Sequence, residues 1–162
     1  ALVAARTGDE KTRRVVIKTH VKSGDFDSAG RLSQRMREVL RNRGIEPGVR
    51  RRAAIIAFEA ETNIIIHSLG GRITAAIDPD KVSIDATDEG PGIENVELAM
   101  QDGWSTAGPL ARALGFGAGM GLPNIKKCAD VFNFDGSTGR IQSIVLVYDT
   151  HPVRGVVENK YP

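Results

Sequence analysis

A single cysteine, Cys128, serves the whole 162-residue chain, so no disulfide can form within it. That argues against a small disulfide-stapled secreted scaffold and fits a reducing compartment such as the cytoplasm. Aromatic residues make up only 5% of the sequence, and Phe26 is the one Phe, Tyr or Trp in the first 52 residues. Such a surface offers little for base stacking, which disfavours nucleic acid as a partner. No apolar run approaches the roughly 18 residues of a membrane span. The opening Ala-Leu-Val-Ala-Ala is too short for a signal peptide and has no basic flank before it, so no membrane association is expected. Two nucleotide-site signatures are missing as well. Without G-K-[ST] there is no Walker P-loop, and without H-R-D or D-F-G the chain is not a eukaryotic-type protein kinase. Internal repeats and low-complexity tracts are also lacking.

What is present suits one domain that can bury a core without a structural metal. The net charge of +2 conceals an asymmetry: residues 1–52 carry 14 Lys/Arg against 6 Asp/Glu, and the remainder is acidic. The basic third reads either as a solvated face or as a docking surface for an acidic partner. Residues 1–13 read as a flexible lead-in, 14–149 as the folded domain and 150–162 as a tail. The β-branched run 14–22 predicts a strand, broken at Ser23-Gly24-Asp25. Leu32, Met36, Val39 and Leu40 recur at helical spacing and Gly44 closes that helix. Glu46-Pro47-Gly48 reads as a turn, and 49–68 as the strongest helix. Strands at 72–77 and 81–87 flank Asp78-Pro79-Asp80, a short helix is expected at 94–101, a helix at 121–130, and a closing hairpin at 131–135 and 140–148. Long helices beside mostly antiparallel strands predict a two-layer α/β sandwich, with a mixed, mostly antiparallel sheet and helices on one face.

Three features carry chemistry. Glu59 and Asn63 are four apart on the long helix, so they project from one face. A carboxylate can serve as a general base, and an amide oxygen can hold a hard cation. At 88–93 stands D-E-G-P-G-I, where Asp88 ends a strand whose same-side residues Val82, Ile84 and Ala86 are apolar. A carboxylate there needs donors, and the adenine amine is one. Gly90 and Gly92 leave room for a flat base or a tight turn. The third is G-F-G-A-G-M-G-L at 115–122, running into a helix, where backbone N–H groups suit phosphate oxygens. Taken singly, the first two read as a polar helix edge and a strand-ending turn, whereas the glycine segment reads as a phosphate-binding loop rather than a merely flexible one.

Their order, Glu-x-x-x-Asn, then Asp-x-Gly-x-Gly, then a long loop ending in G-x-G-x-G, resembles the GHKL (Bergerat-fold) superfamily across roughly residues 50–148. Within it, E-A-E-T-N-I-I-I-H at 59–67 and A-M-Q-D-G-W-S-T-A-G at 99–108 are most similar to bacterial anti-sigma-factor and switch serine/threonine kinases. The resemblance implies ATP and Mg²⁺ as cofactors. It makes Glu59 the general base, Asn63 the magnesium ligand and Asp88 the acceptor from adenine. Gly90, Gly92 and Ile93 would shape the base pocket. Residues 102–114 would form a lid, with Thr106 and Arg112 reaching the nucleotide. Gly115, Gly117, Gly119, Gly121 and Leu122 would line the phosphate end. The implied substrate is a hydroxyl of a STAS-domain antagonist, with a sigma factor or other regulator as a second partner and pairing of two copies also implied. The chain departs from the pattern at Ile66, where many relatives carry Lys, and at 139–145, which matches poorly a Gly-Thr that helps hold the base; Ser143 is the stand-in there. His67 and Cys128 read as packed residues, and Trp104 as a lid or partner contact. Two functions remain open: a protein kinase, or a nucleotide-gated binding module with little transfer. A gyrase-type ATPase is disfavoured, since no transducer domain accompanies the motifs.

Overall fold

The computed structural model describes residues 2–4, 13–89, 100–101 and 121–147. Strands Leu2–Ala4 (β1) and Val15–Val21 (β2) lead through a single 3-10 turn, Phe26–Ser28, into helices Arg31–Asn42 (α1) and Pro47–His67 (α2). Strands Gly71–Ile77 (β3) and Lys81–Asp88 (β4) follow, then helix Gly121–Cys128 (α3) and strands Val131–Asp135 (β5) and Arg140–Leu146 (β6). The helix expected at 94–101 lies mostly outside the described residues.

The six strands form one sheet in the order β1-β2-β3-β4-β6-β5. Every pairing among the described residues is antiparallel. Connectivity explains this between β2 and β3. Two helices intervene, the chain returns to the end of β2 that it left, and β3 runs back along its neighbour. Residues 2–4 also depart from the expected loose lead-in. They pair with β2, Leu2 opposite Ile17 and Ala4 opposite Val15, and cover what would be an open strand edge.

Alternation divides the sheet into two faces. On β4, buried Val82, Ile84 and Ala86 alternate with Ser83, Asp85 and Thr87. The buried face packs against α2, which contacts β2, β3, β4 and β6 on one side and both other helices elsewhere. Enclosure on several sides explains why α2 is dense in Ala and Ile and has no wide polar stripe. Its start corrects the sequence reading, because Glu46-Pro47-Gly48 opens the helix. The Glu46 carboxylate accepts from the N–H groups of Gly48 at 2.8 Å and Val49 at 3.1 Å. Pro47 occupies a first-turn position whose N–H would have had no partner.

The start of α1 is capped from outside. Gly30 precedes it at φ 92° with no side chain to offer. Glu61 of α2, only 4% exposed, accepts from Gly30 N–H at 2.6 Å and Leu32 N–H at 3.4 Å. Burial pushes the Glu61 carboxyl above the usual range, and these two donors pull it part of the way back. Glu61→Ala is expected to cost about 1–2 kcal/mol, as loss of a helix cap does. An unshifted urea midpoint would show that α1 does not rely on it. A second tie joins α2 to the far side of the domain. Arg52 Nη1 lies 3.2 Å from Asp130 Oδ1, and Asp130 Oδ2 accepts Leu146 N–H at 2.7 Å. Among the described residues no helix is long and apolar enough to cross a membrane.

Candidate functional site

The long helix supplies the first two groups. Glu59 and Asn63 are both half-buried, one turn apart on α2. α3 packs against the same helix and reaches Glu59 twice. Asn124 Nδ2 donates to Glu59 Oε1 at 3.1 Å. At Gly121, the first residue of α3, a Cβ would stand 3.3 Å from Glu59 Oε2, so glycine lets the helix begin close to the carboxylate. Burial pushes the Glu59 carboxyl above its ordinary range, and the Asn124 amide offsets part of that rise. The result is a half-buried carboxyl group with raised proton affinity, oriented from one side by Asn124. The Asn63 carboxamide makes no hydrogen bond among the described residues.

Asp88 lies at the end of β4 on its helix-facing side, half-buried. The β4–β6 register sets Ala86 opposite Ile141 and, carried on by two residues, Asp88 opposite Gly139. Gly139 has φ 66°, and a Cβ there would collide with the Asp88 carboxylate. Glycine at 139 is therefore required twice, by backbone conformation and by the space the carboxylate fills. Gly71 plays a comparable part on the other flank. A Cβ on it would meet Ile64 Cδ1 and the Asp88 Cα, each at 3.1 Å. The turn of α2 that carries Ile64, next to Asn63, thus descends onto the strand end that carries Asp88.

The structure thereby joins Glu59 to Gly121 and sets Asp88 beneath the C-terminal part of α2. Leu122 is 4% exposed and belongs to the core. Gly90, Gly92, Ile93, Thr106, Arg112, Gly115, Gly117 and Gly119 lie outside the described residues, as does Trp104. Ile66 and His67 are half-buried, and burial lowers the His67 imidazole. Cys128 is half-buried at the end of α3, where burial pushes its thiol up. Ser143 does not stand beside Asp88. It pairs with Ile84, four residues along β4 and so on the order of 13 Å away at strand rise. Its hydroxyl is buried in the core without a hydrogen-bond partner among the described residues.

Two residues next to the site escaped the sequence reading. Asn124 follows Gly121 by three positions in the first turn of α3, and a polar side chain there was the available signal. Gly139 is marked only by the G-S-T-G turn at 136–139. Among the described residues no group of three or more His, Cys, Asp or Glu could hold a metal ion. A hollow of about 710 Å³ exists, but on the opposite face of the sheet, and none of the predicted site residues lines it.

Most of the chain matches a known protein family. Residues 23–146 match the model of the histidine kinase-like ATPase domain. The chain is 33% identical over 85 residues to the serine/threonine-protein kinase RsbT of Bacillus subtilis (strain 168), covering 50% of this chain and 58% of that protein. It is 33% identical over 93 residues to the anti-sigma F factor of Clostridium acetobutylicum, covering 54% and 62%. It is 34% identical over 87 residues to the anti-sigma F factor of Thermoanaerobacter sp. (strain X514), covering 51% and 57%. The matched segments thus span about six-tenths of each of these relatives.

Proposed function

The chain belongs to the histidine kinase-like ATPase family, and on that premise we propose that it is an ATP-dependent serine/threonine protein kinase of a bacterial partner-switching module, cytoplasmic, with a STAS-domain antagonist as substrate. The observation that carries this reading is the approach of α3 to Glu59. The glycine segment ends where α3 begins, and that beginning touches the carboxylate through Gly121 and Asn124. Phosphates held at the helix start would therefore lie near a base.

In this reading Asp88 receives the adenine amine, and Gly90, Gly92 and Ile93 shape the base pocket. Thr106 and Arg112 contact the nucleotide from the lid. Gly115, Gly117, Gly119 and Gly121 form the phosphate end, while Leu122 anchors the helix start in the core. Asn63 would hold magnesium. Its uncommitted carboxamide fits that role, and so does the lack of an acidic cage among the described residues, because magnesium is commonly held by one or two protein groups together with substrate phosphates. When bound, the cation neutralises phosphate charge. Glu59 takes the proton of the attacking protein hydroxyl. The decisive experiment incubates the protein with γ-labelled ATP and a STAS-domain protein encoded beside it, and follows label on the STAS serine or threonine.

A second reading, a nucleotide-gated module that sequesters a sigma factor or another regulator, is favoured by Ile66 where many relatives carry Lys, and by the anti-sigma names of several relatives. Nucleotide-dependent capture without label transfer would select it. Pairing of two copies is compatible with either.

Asn124 has a separable role as a positioning residue for Glu59. Its hydrogen bond lowers the Glu59 pKa against the effect of burial. The base acts ionised, so the acid limb of the kcat/KM profile should lie above the ordinary carboxylate range. In Asn124→Ala, which loses the lowering bond, it should move higher still. A profile that keeps its acid limb in that variant would detach Asn124 from the base.

A further inference from the structure

Helix α3 has only eight residues. A helix that short has little stability of its own, so its place is set by what it packs against. It is held to α2 at both ends. At its start Asn124 donates to Glu59, and Gly121 lies against the same carboxylate. At its end Arg52 Nη1 donates to Cys128 O at 3.3 Å and to Asp130 Oδ1 at 3.2 Å. Arg52 and Glu59 stand two turns apart along one face of α2. The two helices therefore run antiparallel, with this α2 pair meeting the two ends of α3. The Cys128 thiol feels both members: burial raises it most, Arg52 and Arg51 pull it back, and Glu59 adds to the rise. Asp130 is the fixed point. Its side chain is 4% exposed, Oδ2 accepts Leu146 N–H at 2.7 Å, and its own N–H donates to Ile144 O at 2.8 Å. Arg52 thus ties a last-turn carbonyl of α3, which has no partner within the helix, to a carboxylate anchored on β6.

We propose that Arg52 is a positioning residue for Glu59, acting through α3 and Asn124. The inference rests on the kinase reading, in which Glu59 is the base. Attached at two points, α3 has a fixed direction and aims the Asn124 amide at the carboxylate. Attached at its start alone, it can swing, and the amide leaves its line. A misplacement of about 1 Å by a change far from the chemistry can cost on the order of a hundredfold in rate. Lysine keeps the charge of Arg52 but lacks the planar fork that spans carbonyl and carboxylate, so it should hold α3 only in part.

Two measurements test this. Heteronuclear NMR of the nucleotide-free protein follows the Asn124 side-chain amide. In Arg52→Gln its signal should move toward the position it takes in Glu59→Ala, where the bond is lost, and in Arg52→Lys it should move less. The backbone amides of α1, whose start is capped by Glu61, should stay in place, which shows that the variants fold. Single-turnover labelling then gives the rate. Arg52→Gln should slow transfer about ten- to a hundredfold. Introduced into Asn124→Ala, it should slow transfer no more than about twofold further, because the two act along one path. A direct effect of the lost charge, or a general loss of stability, would give the same factor in both backgrounds. An unmoved Asn124 signal in Arg52→Gln, or equal losses in the two backgrounds, would overturn the proposal. Should Arg52→Gln not fold, Asp130→Asn, which keeps an acceptor for Leu146 N–H, is read in its place under the same two outcomes. Absence of transfer in the unaltered protein would fail the kinase reading, and the Asn124 signal would still decide whether Arg52 aims that amide.

Discussion

Glu59→Ala should bind ATP with nearly unchanged affinity and transfer its phosphoryl group to protein about 10²–10⁴-fold more slowly, the range that general-base assistance contributes. The separation of binding from chemistry follows from where the residue sits. Glu59 is half-buried on α2, fixed by Asn124 and close to Gly121, where phosphates rather than the base would lie. A carboxylate is a poor ligand for phosphate, since both are anionic, so removing it should not weaken ATP binding. What is lost is proton acceptance from the attacking hydroxyl, a contribution made only as the transfer proceeds. Glu59→Gln sharpens the test, because it keeps the shape and can still hydrogen-bond Asn124. A transfer rate in Glu59→Gln close to that of the unaltered protein would mean that the carboxylate serves packing alone. If ATP affinity falls in step with transfer, Glu59 belongs to the binding surface and the base must be sought elsewhere. Calorimetry for binding and single-turnover labelling for transfer measure the two quantities independently.

The sequence was most legible where one physical signal dominated. β5 is observed at the expected residues because a short alternating run between turn signals allows few other readings. The core face of β4 followed from strict alternation of apolar and polar residues. The Glu59–Asn63 pair was visible because helical spacing alone fixes that relation. Misreadings fell where a residue's meaning depends on something distant in sequence. Glu46-Pro47-Gly48 reads as a turn until its carboxylate is seen folding over the first N–H groups of α2. Glu61, two positions from Glu59, caps a helix that begins thirty residues earlier, and no local pattern announces this. Gly139 could not be matched with Asp88 before the β4–β6 register was known, because a shift of one residue in β6 would have turned Gly139 to the opposite face. For the same reason Ser143, the stand-in at that end of the sheet, is instead a core residue opposite Ile84. The pairing of Leu2–Ala4 with β2 is a further case of this kind: three small apolar residues become a strand because a partner edge is available.

ATP should bind more tightly than GTP, by roughly 10- to 150-fold, and Asp88→Asn should erase most of the difference. The basis is a single charge-assisted hydrogen bond, worth about 1.5–3 kcal/mol. Adenine presents an amine where guanine presents a carbonyl. Against Asp88 the first pair is donor to carboxylate; the second sets acceptor against acceptor. Asparagine offers both a donor and an acceptor on one rotatable amide, so it can serve either base and discriminates little. The surroundings of Asp88 leave room for this role. Its strand neighbours on the same side, Val82, Ile84 and Ala86, are buried and apolar, so a carboxylate in that row is costly unless it meets donors. The opposing position on the extended β6 register is Gly139, which leaves the carboxylate the space that a side chain would occupy. Gly139→Ala therefore probes the same arrangement from the facing strand. The added methyl displaces the Asp88 carboxylate, and φ 66° strains the new residue, so ATP affinity should fall toward that of Asp88→Asn. Competition of ATP and GTP for a fluorescent nucleotide measures all three proteins under one condition. Equal affinity for both nucleotides in the unaltered protein would remove Asp88 from the base pocket. Full retention of the ATP preference in Gly139→Ala would show that the carboxylate does not need the space the glycine leaves.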